Sequence, residues 1–336
     1  MDRTGYANRA VQASAPEGEA AGSQVPSGAA AAGTPVQRPL TLWQWASFGA
    51  VRGAVRALYV VLGLRGLYRF GRLFGSAECL INFKRRRRFH ATLAHALGRT
   101  PTARERRVHA RDFFAQRRCD KLFYLVFDAI PRERAISLLT IRNQALLDAA
   151  AARGRGVQVA TAHHGPMHVM GMLLALRGYK VAGVREPHEG AMRQYVQQLF
   201  DRRYPEFRRA RVLSSQSFPR AILRTLQEGY VIGSSMDVSR IKAPNQKTVE
   251  VDIFGERRRF LSGPIWLALR SKSPVLQAFA VPERDFHYRL DVVEMLLDPE
   301  TVSDPEAAVD AAMRRYAANI ERYVRARPGL VSRVAD

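Results

Sequence analysis

The chain has 336 residues, 47% of them hydrophobic, which is enough for one large domain or two small ones with a buried core. Its 53 Lys and Arg residues outnumber 30 Asp and Glu residues, and the formal net charge of +23 attracts anionic partners such as phospholipid headgroups, acidic carrier proteins or nucleic acid. Only Cys79 and Cys119 occur as cysteines, which excludes a disulfide framework and a cysteine metal site and is consistent with a reducing compartment.

Residues 1–40 are rich in Ala, Gly, Ser, Pro and Gln and contain almost no aromatic side chains. Such a composition buries too little apolar area to offset the entropy of the chain, so we expect a disordered tail. The tail lacks a basic start followed by an apolar run and a small-residue cleavage site, which argues against a secretory signal. We therefore expect the protein to stay inside the cell.

A segment rich in aromatic residues and arginine follows at residues 41–75. Its longest uncharged stretch, residues 57–64, is much shorter than the roughly 18 apolar residues that a spanning helix needs. Trp43 and Trp45, together with the arginines, are typical of the interface between membrane and water. We therefore expect a membrane-associating helical segment that lies on a bilayer. The alternative is a pair of ordinary helices packed on the domain.

The spacing of the arginines also predicts the shape of this segment. At about 100° per residue, two groups of arginines fall on nearly opposite sides of a helix. These groups are Arg52 with Arg56, and Arg65 with Arg69 and Arg72. One straight amphipathic helix therefore does not fit, and two helical pieces that bend near Gly63 or Gly66 fit better.

A run of five basic residues, Lys84 to Arg88, opens a region that we expect to be helical over residues 76–152. The run is either a solvated helix face or an electrostatic clamp for anionic lipid. Its position directly after the membrane-associating segment favours the clamp. We assign no chemistry to the rest of this region.

Over residues 153–331, short β-type runs alternate with helical windows, which predicts βα units. The expected strands cover residues 157–161, 180–184, 211–214, 230–234, 275–280 and 288–293. The expected helices cover residues 167–176, 191–200, 219–227, 264–270 and 305–326. The predicted fold class is α/β, with a mostly parallel sheet flanked by helices and preceded by the N-terminal membrane-associating helices. We expect residues 76–331 to form one domain.

The most informative stretch, residues 159–171, is a short apolar strand that leads into histidines and then into the start of a helix. His163 falls at the carboxyl end of the strand, where α/β proteins usually build active sites. Gly165 and Pro166 suit the N-cap and the first residue of the helix. His168 is close enough in sequence to fold back toward His163, and the positive potential of the helix start favours a neutral ring there.

A zinc site built from His163, His164 and His168 is a second interpretation of the same stretch. No Asp, Glu or Cys lies between Gln158 and Arg185 to complete it, so we expect no metal. Clustering by chance, with purely structural roles for the histidines, is the remaining alternative.

Several motifs occur in order along the chain. They are Thr-Ala-His-His-Gly-Pro-Met-His at residues 161–168, Val-Arg-Glu-Pro at 184–187, the run from Leu226 to Gly233 that continues to Asp237, Phe254-Gly255, Ser262-Gly263-Pro264, and the closing helix at 320–328. Together they resemble the bacterial lipid A biosynthesis (lauroyl/myristoyl) acyltransferases of the lysophospholipid acyltransferase superfamily. The resemblance covers residues 42–331 and implies a glycerolipid acyltransferase-like fold.

The resemblance implies transfer of a fatty acyl group from an acyl carrier protein thioester, or less often a coenzyme A thioester, to a hydroxyl of a membrane glycolipid. It implies no cofactor besides that donor. It also implies a peripheral or monotopic place on the cytoplasmic face of the bacterial inner membrane, with anionic lipids as partners. A nucleic-acid partner is not expected, because no base-reading motif is present.

Site residues follow from the matched motifs. His163 would be the general base that takes the proton of the acceptor hydroxyl, and the helix amides near residues 165–167 would donate to the oxyanion. Arg185 would contact a phosphate or carbonyl group. Asp237 would hold the site together or orient a basic partner, or be an ordinary turn aspartate.

Gly263 and Pro264 would form a tight turn that opens a helix facing the substrate, although turn formation alone explains both residues equally well.

The chain departs from the family's box at one position, where His168 replaces Glu or Asp. That carboxylate holds the histidine tautomer and stabilises the imidazolium as it forms. Three outcomes follow: His168 orients His163 as a weaker substitute, Glu186 or Asp237 takes over, or catalysis is lost. The leading hypothesis is a membrane-associated O-acyltransferase. The alternative is a non-catalytic lipid-binding or scaffold protein of the same fold.

Overall fold

The computed structural model describes residues 39–185, 190–214, 219–237 and 246–331. Helix α1 (Leu42–Ile81) begins at a capping box in which Thr41 accepts from the Gln44 amide and the Gln44 side chain accepts from the Thr41 amide. Gly63 interrupts this helix with φ 65° and ψ −177°, a conformation that glycine adopts without a Cβ penalty. The predicted bend near Gly63 or Gly66 is therefore confirmed at Gly63. The expected tail, residues 1–38 of it, lies outside the described residues.

Helices α2 (Phe83–Leu97) and α3 (Ala103–Val126) complete the N-terminal helical layer. Helix α1 packs closely along α3, and Gly75 marks the tightest point of this contact. A Cβ at Gly75 would lie 2.5 Å from both the Cα of Ala115 and the carbonyl oxygen of Phe114. The absence of a side chain at Gly75 is therefore what lets the two backbones approach.

The remaining elements alternate between helices and strands. In chain order they are α4 (Arg132–Ser137), β1 (Leu139–Arg142), α5 (Gln144–Ala152), β2 (Val157–Thr161), α6 (Met167–Leu176), β3 (Val181–Arg185), α7 (Ala191–Arg203), β4 (Arg211–Ser214), α8 (Pro219–Gln227), β5 (Val231–Ser235), β6 (Thr248–Ile253), β7 (Glu256–Leu261), α9 (Gly263–Ser271), β8 (Val275–Pro282), β9 (Tyr288–Leu297) and α10 (Pro305–Ala326).

The strands form a seven-stranded sheet in the order β1-β9-β8-β2-β5-β3-β4. Every neighbouring pair is parallel except β8 with β9, which is antiparallel. Residues 276, 278 and 280 of β8 face one hydrophobic core and residues 275 and 279 face another, as the two-residue period of a strand requires. The predicted α/β class, with a mostly parallel sheet flanked by helices, is confirmed.

Two strand features depart from the expectations. Strand β1 lies within the region expected to be helical, and its four residues pair with β9 at the edge of the sheet. The hairpin of β6 and β7 was not expected either; Phe254 and Gly255 turn it, both with positive φ (55° and 78°). Such a turn matches the twist of the strands it joins, which gives the Phe254-Gly255 motif a structural role.

Helix α1 carries an apolar face that the rest of the protein leaves exposed. The part of α1 before Gly63 is held on the domain by an ion pair between Arg52 and Asp128. Trp45 and Phe48 of the same part pack on Tyr195. By length and composition alone, α1 is also the one helix among the described residues that would suit a membrane span. The shortness of the uncharged stretch at residues 57–64 therefore does not exclude a membrane span. The contacts of α1 with the domain are the stronger argument that this helix lies along a bilayer surface.

The close approach at Gly75 makes a testable prediction for stability. We expect Gly75→Ala to lower the free energy of unfolding by about 1–3 kcal/mol, because the added methyl group meets the backbone of α3. Gly53→Ala in the same helix is the control: a Cβ there meets nothing within 4 Å, so the change is expected to be neutral or to stabilise by up to about 1 kcal/mol. Chemical denaturation measures both, and equal losses would contradict the close packing.

Candidate active site

The site is centred on the contact between His163 and Asp237. Strands β2 and β5 are parallel neighbours, with Thr161 opposite Ser235, and each of the two residues lies two positions beyond the end of its strand. The Nδ1 atom of His163 lies 2.8 Å from Oδ1 of Asp237, and the backbone amide of His163 donates to Oδ2, also at 2.8 Å. One carboxylate therefore binds both the ring and the backbone of the histidine.

This contact determines which nitrogen of the His163 ring carries the proton. A carboxylate only accepts, so Nδ1 carries the proton that it donates to Asp237, and Nε2 is the basic nitrogen. The side chain of Asp237 is 11% exposed and that of His163 is 26% exposed. The pair is therefore partly shielded from water while the imidazole stays accessible, as a general base requires.

Of the alternatives left by the sequence, the structure shows Asp237 on His163. It is not an ordinary turn aspartate, because both of its oxygens contact His163. Glu186, the other candidate acid, lies outside the described residues. In the family that the sequence resembles, a box acid stands where this chain has His168. Here a carboxylate from another strand, Asp237, binds the His163 ring instead.

His168 is the second residue of α6. Its ring packs edge-on against Tyr124 of α3, with the ring centres 5.6 Å apart. Of the three outcomes considered for His168, the observed contact of Asp237 with Nδ1 of His163 favours an acid from another strand as the orienting group.

The turn between His163 and α6 requires glycine at position 165. Gly165 has φ +75°, and a Cβ there would lie 1.9 Å from the carbonyl oxygen of Ala280. Its amide donates to the carbonyl of Leu330 at 2.9 Å, and the amide of Met167 donates to the carbonyl of Gly165 at 3.1 Å. Pro166, which takes the N-cap position expected for Gly165, has no amide proton. The amides predicted as oxyanion donors are therefore already used within the protein.

His164 has a structural role in this turn. Its side chain is 1% exposed, it forms a β-bridge with Val331, and its Nε2 lies 3.3 Å from the carbonyl oxygen of Arg327. Burial lowers the pKa of His164 to about 4, so the ring is neutral at physiological pH. The turn that carries His163 is thus attached to the segment that follows α10.

Tyr316 of α10 connects the two strands that carry the site. Its hydroxyl donates to the carbonyl of Thr161 at 2.6 Å and accepts from the amide of Met236 at 3.0 Å. Thr161 lies two residues before His163, and Met236 directly precedes Asp237. Tyr316 is fully buried, and its hydroxyl joins the two strand ends just before His163 and Asp237. Burial raises its pKa well above the usual value, so it stays a donor.

Sequence reasoning did not find Tyr316. Its position on the apolar face of α10, one turn after Ala312 and one turn before Ile320, looks like ordinary core. The available signal was the residue type, because a tyrosine hydroxyl that is buried normally has a hydrogen-bond partner.

The turn at Gly263 and Pro264 opens α9, as expected. The amide of Leu261 donates to the carbonyl of Met236 at 3.3 Å, which brings this turn next to Asp237. A Cβ at Gly263 would meet nothing within 4 Å, so there is open space beside the turn.

Arg185 ends β3, whose backbone pairs with β5 and β4 at the same edge of the sheet; its side chain lies outside the described residues. In the parts of the chain that the structure describes, no group of three or more His, Cys, Asp or Glu side chains is arranged to hold a metal ion.

The hydroxyl of Tyr316 makes a testable prediction. We expect Tyr316→Phe to lower the free energy of unfolding by about 1–3 kcal/mol and to speed hydrogen exchange at the Met236 amide, because that donor loses its partner. Tyr288→Phe is the matched control, since the Tyr288 hydroxyl is equally buried and has no partner among the described residues. Removing the Tyr288 hydroxyl is expected to be neutral or stabilising. Equal effects of the two substitutions would contradict a specific role for Tyr316.

A comparison with known protein families gives one match. The sequence model of the family described as bacterial lipid A biosynthesis acyltransferase matches residues 38–329. A comparison with curated proteins found no match. Because the family match spans most of the chain and includes both His163 and Asp237, the protein belongs to the bacterial lipid A biosynthesis acyltransferase family.

Proposed function

We propose that the protein is a membrane-associated O-acyltransferase that moves a fatty acyl group from an acyl carrier protein thioester, or a coenzyme A thioester, to a hydroxyl of a glycolipid. The observation that carries this proposal is the contact of His163 with Asp237, which leaves Nε2 as the basic nitrogen at an accessible edge of the sheet. No cofactor besides the donor thioester is proposed.

The chemistry assigned to the pair is acid and base catalysis. Nε2 of His163 takes the proton of the acceptor hydroxyl as the oxygen attacks the thioester carbonyl, and the imidazolium then donates that proton to the departing thiolate. The new carbon–oxygen bond replaces the carbon–sulfur bond. Asp237 stabilises the imidazolium and keeps the ring in its tautomer. Arg185, at the end of a neighbouring strand, is proposed to contact a phosphate or carbonyl group of the substrates.

Membrane association is supported by the exposed apolar surface of α1. Trp43, Val60, Val61, Leu73 and Ile81 are all more than two-thirds exposed. Apolar side chains displayed in this way on a helix beside arginines suit the headgroup and acyl boundary of a bilayer. We propose that the helix lies on the cytoplasmic face of the bacterial inner membrane, where acyl carrier protein and a glycolipid acceptor both reach the site.

Substitution of His163 tests the assigned base. Purified protein with membranes and an acyl carrier protein thioester is expected to release free thiol and form an acylated lipid, and His163→Ala is expected to abolish both products. His287→Ala serves as the control, because that ring contacts the carbonyl of Arg284 in its own turn. Thiol release and lipid mass spectrometry measure the two products. Full turnover in His163→Ala would refute the assigned base.

Substitution of the two candidate orienting residues separates their roles. We expect Asp237→Asn to lower turnover by on the order of 10⁴-fold, since it removes the charge that stabilises the imidazolium. His168→Ala is expected to cost less, and His168→Glu to change the rate little, because Asp237 already binds Nδ1 of His163. The kcat of each variant is compared with that of the native protein. A large rate increase in His168→Glu would show that Asp237 does not replace the box acid.

The non-catalytic alternative rests on the histidine at position 168. It predicts that the native protein binds vesicles but forms no acylated lipid with any donor. Vesicle binding without product in both the native protein and His168→Glu would favour that alternative.

A further inference from the structure

A cluster of basic side chains lies where α1, α2 and α3 meet, apart from the site around His163. Its members are Arg85 and Arg86 of α2, and Arg117, Arg118 and Lys121 of α3. Among the described residues, the carboxylate that pairs with this cluster is Glu78 of α1, which contacts Arg118 and lies 4.0 Å from Arg85. The cluster therefore carries a large excess of positive charge.

The nearest other acid compensates little of this charge. Asp120 adjoins Arg117, but burial raises the pKa of Asp120 to about 7, so this carboxyl offsets less positive charge than an ordinary aspartate would. Burial and the nearby Arg118, Arg117 and Arg85 lower the pKa of Lys121, and burial and Arg85 lower that of Arg117. The cations therefore repel one another, and a bound anion would relieve that repulsion.

Arg117 also leaves a hydrogen-bond donor unused. Its Nε atom is buried and has no partner among the described residues, while its guanidinium lies 5.4 Å from the ring centre of Phe113. Burying a donor without a partner costs free energy, and an anionic oxygen is the acceptor that a guanidinium binds best.

The surface around the cluster is apolar. Phe74, Leu80, Ile81 and Phe83 are between 48% and 76% exposed. The guanidinium of Arg118 lies 4.9 Å from the ring centre of Phe74, and that of Arg86 lies 4.6 Å from Phe83. Cations beside exposed aromatic and aliphatic side chains match the level of a bilayer at which phosphates lie above the acyl chains. A soluble acidic protein would not require this apolar border.

The cluster differs from the linear clamp expected for residues 84–88. Nη1 of Arg86 donates to the carbonyl of Cys79 in α1 at 2.8 Å. Arg85 lies between α1 and α3, 4.0 Å from Glu78 and with its guanidinium 5.5 Å from the ring centre of Phe113. Lys84, Arg87 and Arg88 are exposed. The basic run at residues 84–88 thus contributes to two surfaces. Its exposed residues face solvent, whereas Arg85 and Arg86 join the cluster with residues of α3 that are distant in sequence.

We propose that Arg85, Arg117, Arg118 and Lys121 form a binding site for the headgroup phosphate of an anionic phospholipid, which seats the corner between α1 and α2 on the bilayer. The proposal rests on the membrane association in the proposed function and is independent of acyl transfer.

The test compares two double variants that remove the same charge. Arg117→Met with Lys121→Met removes half of the proposed site, and Arg87→Met with Arg88→Met removes two exposed cations of the same corner. Binding is measured by co-sedimentation with phosphatidylcholine vesicles, with and without phosphatidylglycerol, in the absence of any acyl donor. General electrostatic attraction to an anionic bilayer accounts for about a fivefold loss of vesicle affinity per cation removed, or about 25-fold for two cations.

We expect the site variant to lose more than about 25-fold of its affinity for the phosphatidylglycerol vesicles, and the control variant to lose no more than that. We also expect the melting temperature of the site variant without lipid to be equal to or above that of the native protein, because a source of repulsion is gone. This second readout shows that lost binding does not result from unfolding.

Three results would overturn the proposal. Equal losses in the two variants would show a diffuse clamp without a site. Stabilisation of the native protein by inorganic phosphate, with no preference for phosphatidylglycerol vesicles, would assign the site to a soluble phosphate. Unchanged vesicle binding with a raised KM for acyl carrier protein would assign it to the carrier. Normal vesicle binding without turnover would instead contradict the proposed function and leave this site standing.

Discussion

The hydrogen bonds between Asp237 and His163 are the interaction on which the site depends. They join the ends of two neighbouring parallel strands and place a carboxylate on the protonated nitrogen of an imidazole. A histidine at a strand end is chemically ordinary without such a partner, because its tautomer and orientation vary. With the carboxylate bound to both ring and backbone, the ring has one basic nitrogen in one direction, as acyl transfer needs.

Much of the surrounding structure keeps these two residues at contact distance. Tyr316 binds the backbone just before each of them, and His164 and Gly165 attach the histidine turn to the segment after α10. None of these groups is charged at neutral pH, so they position the pair without competing for its proton. The histidine motif at residues 161–168 ends in His168 and supplies no acid of its own. His163 nevertheless has a carboxylate partner, because Asp237 comes from the neighbouring strand.

In the proposed function, the N-terminal helices connect this site to a membrane. The first piece of α1 contacts the domain through Arg52 and Trp45, and the second lies against α3 at Gly75. The break at Gly63 lets both pieces pack on the domain while an apolar face stays exposed. The cationic cluster around Arg117 borders that face. Apolar contact and phosphate binding would thus act on the same corner of the protein and orient it on the bilayer.

Local patterning in the sequence determined the helices, most of the strands, the bend in α1 and the position of His163, because these depend on residues close together in the chain. The short edge strand β1 carried too few residues for a periodic signal, and its pairing with β9 alone makes it a strand. Only the tertiary structure decided that Asp237 binds Nδ1 of His163, and that Tyr316 spaces the two strand ends. Those contacts join residues 74 or more positions apart, and strand order and register bring them together rather than local sequence preference.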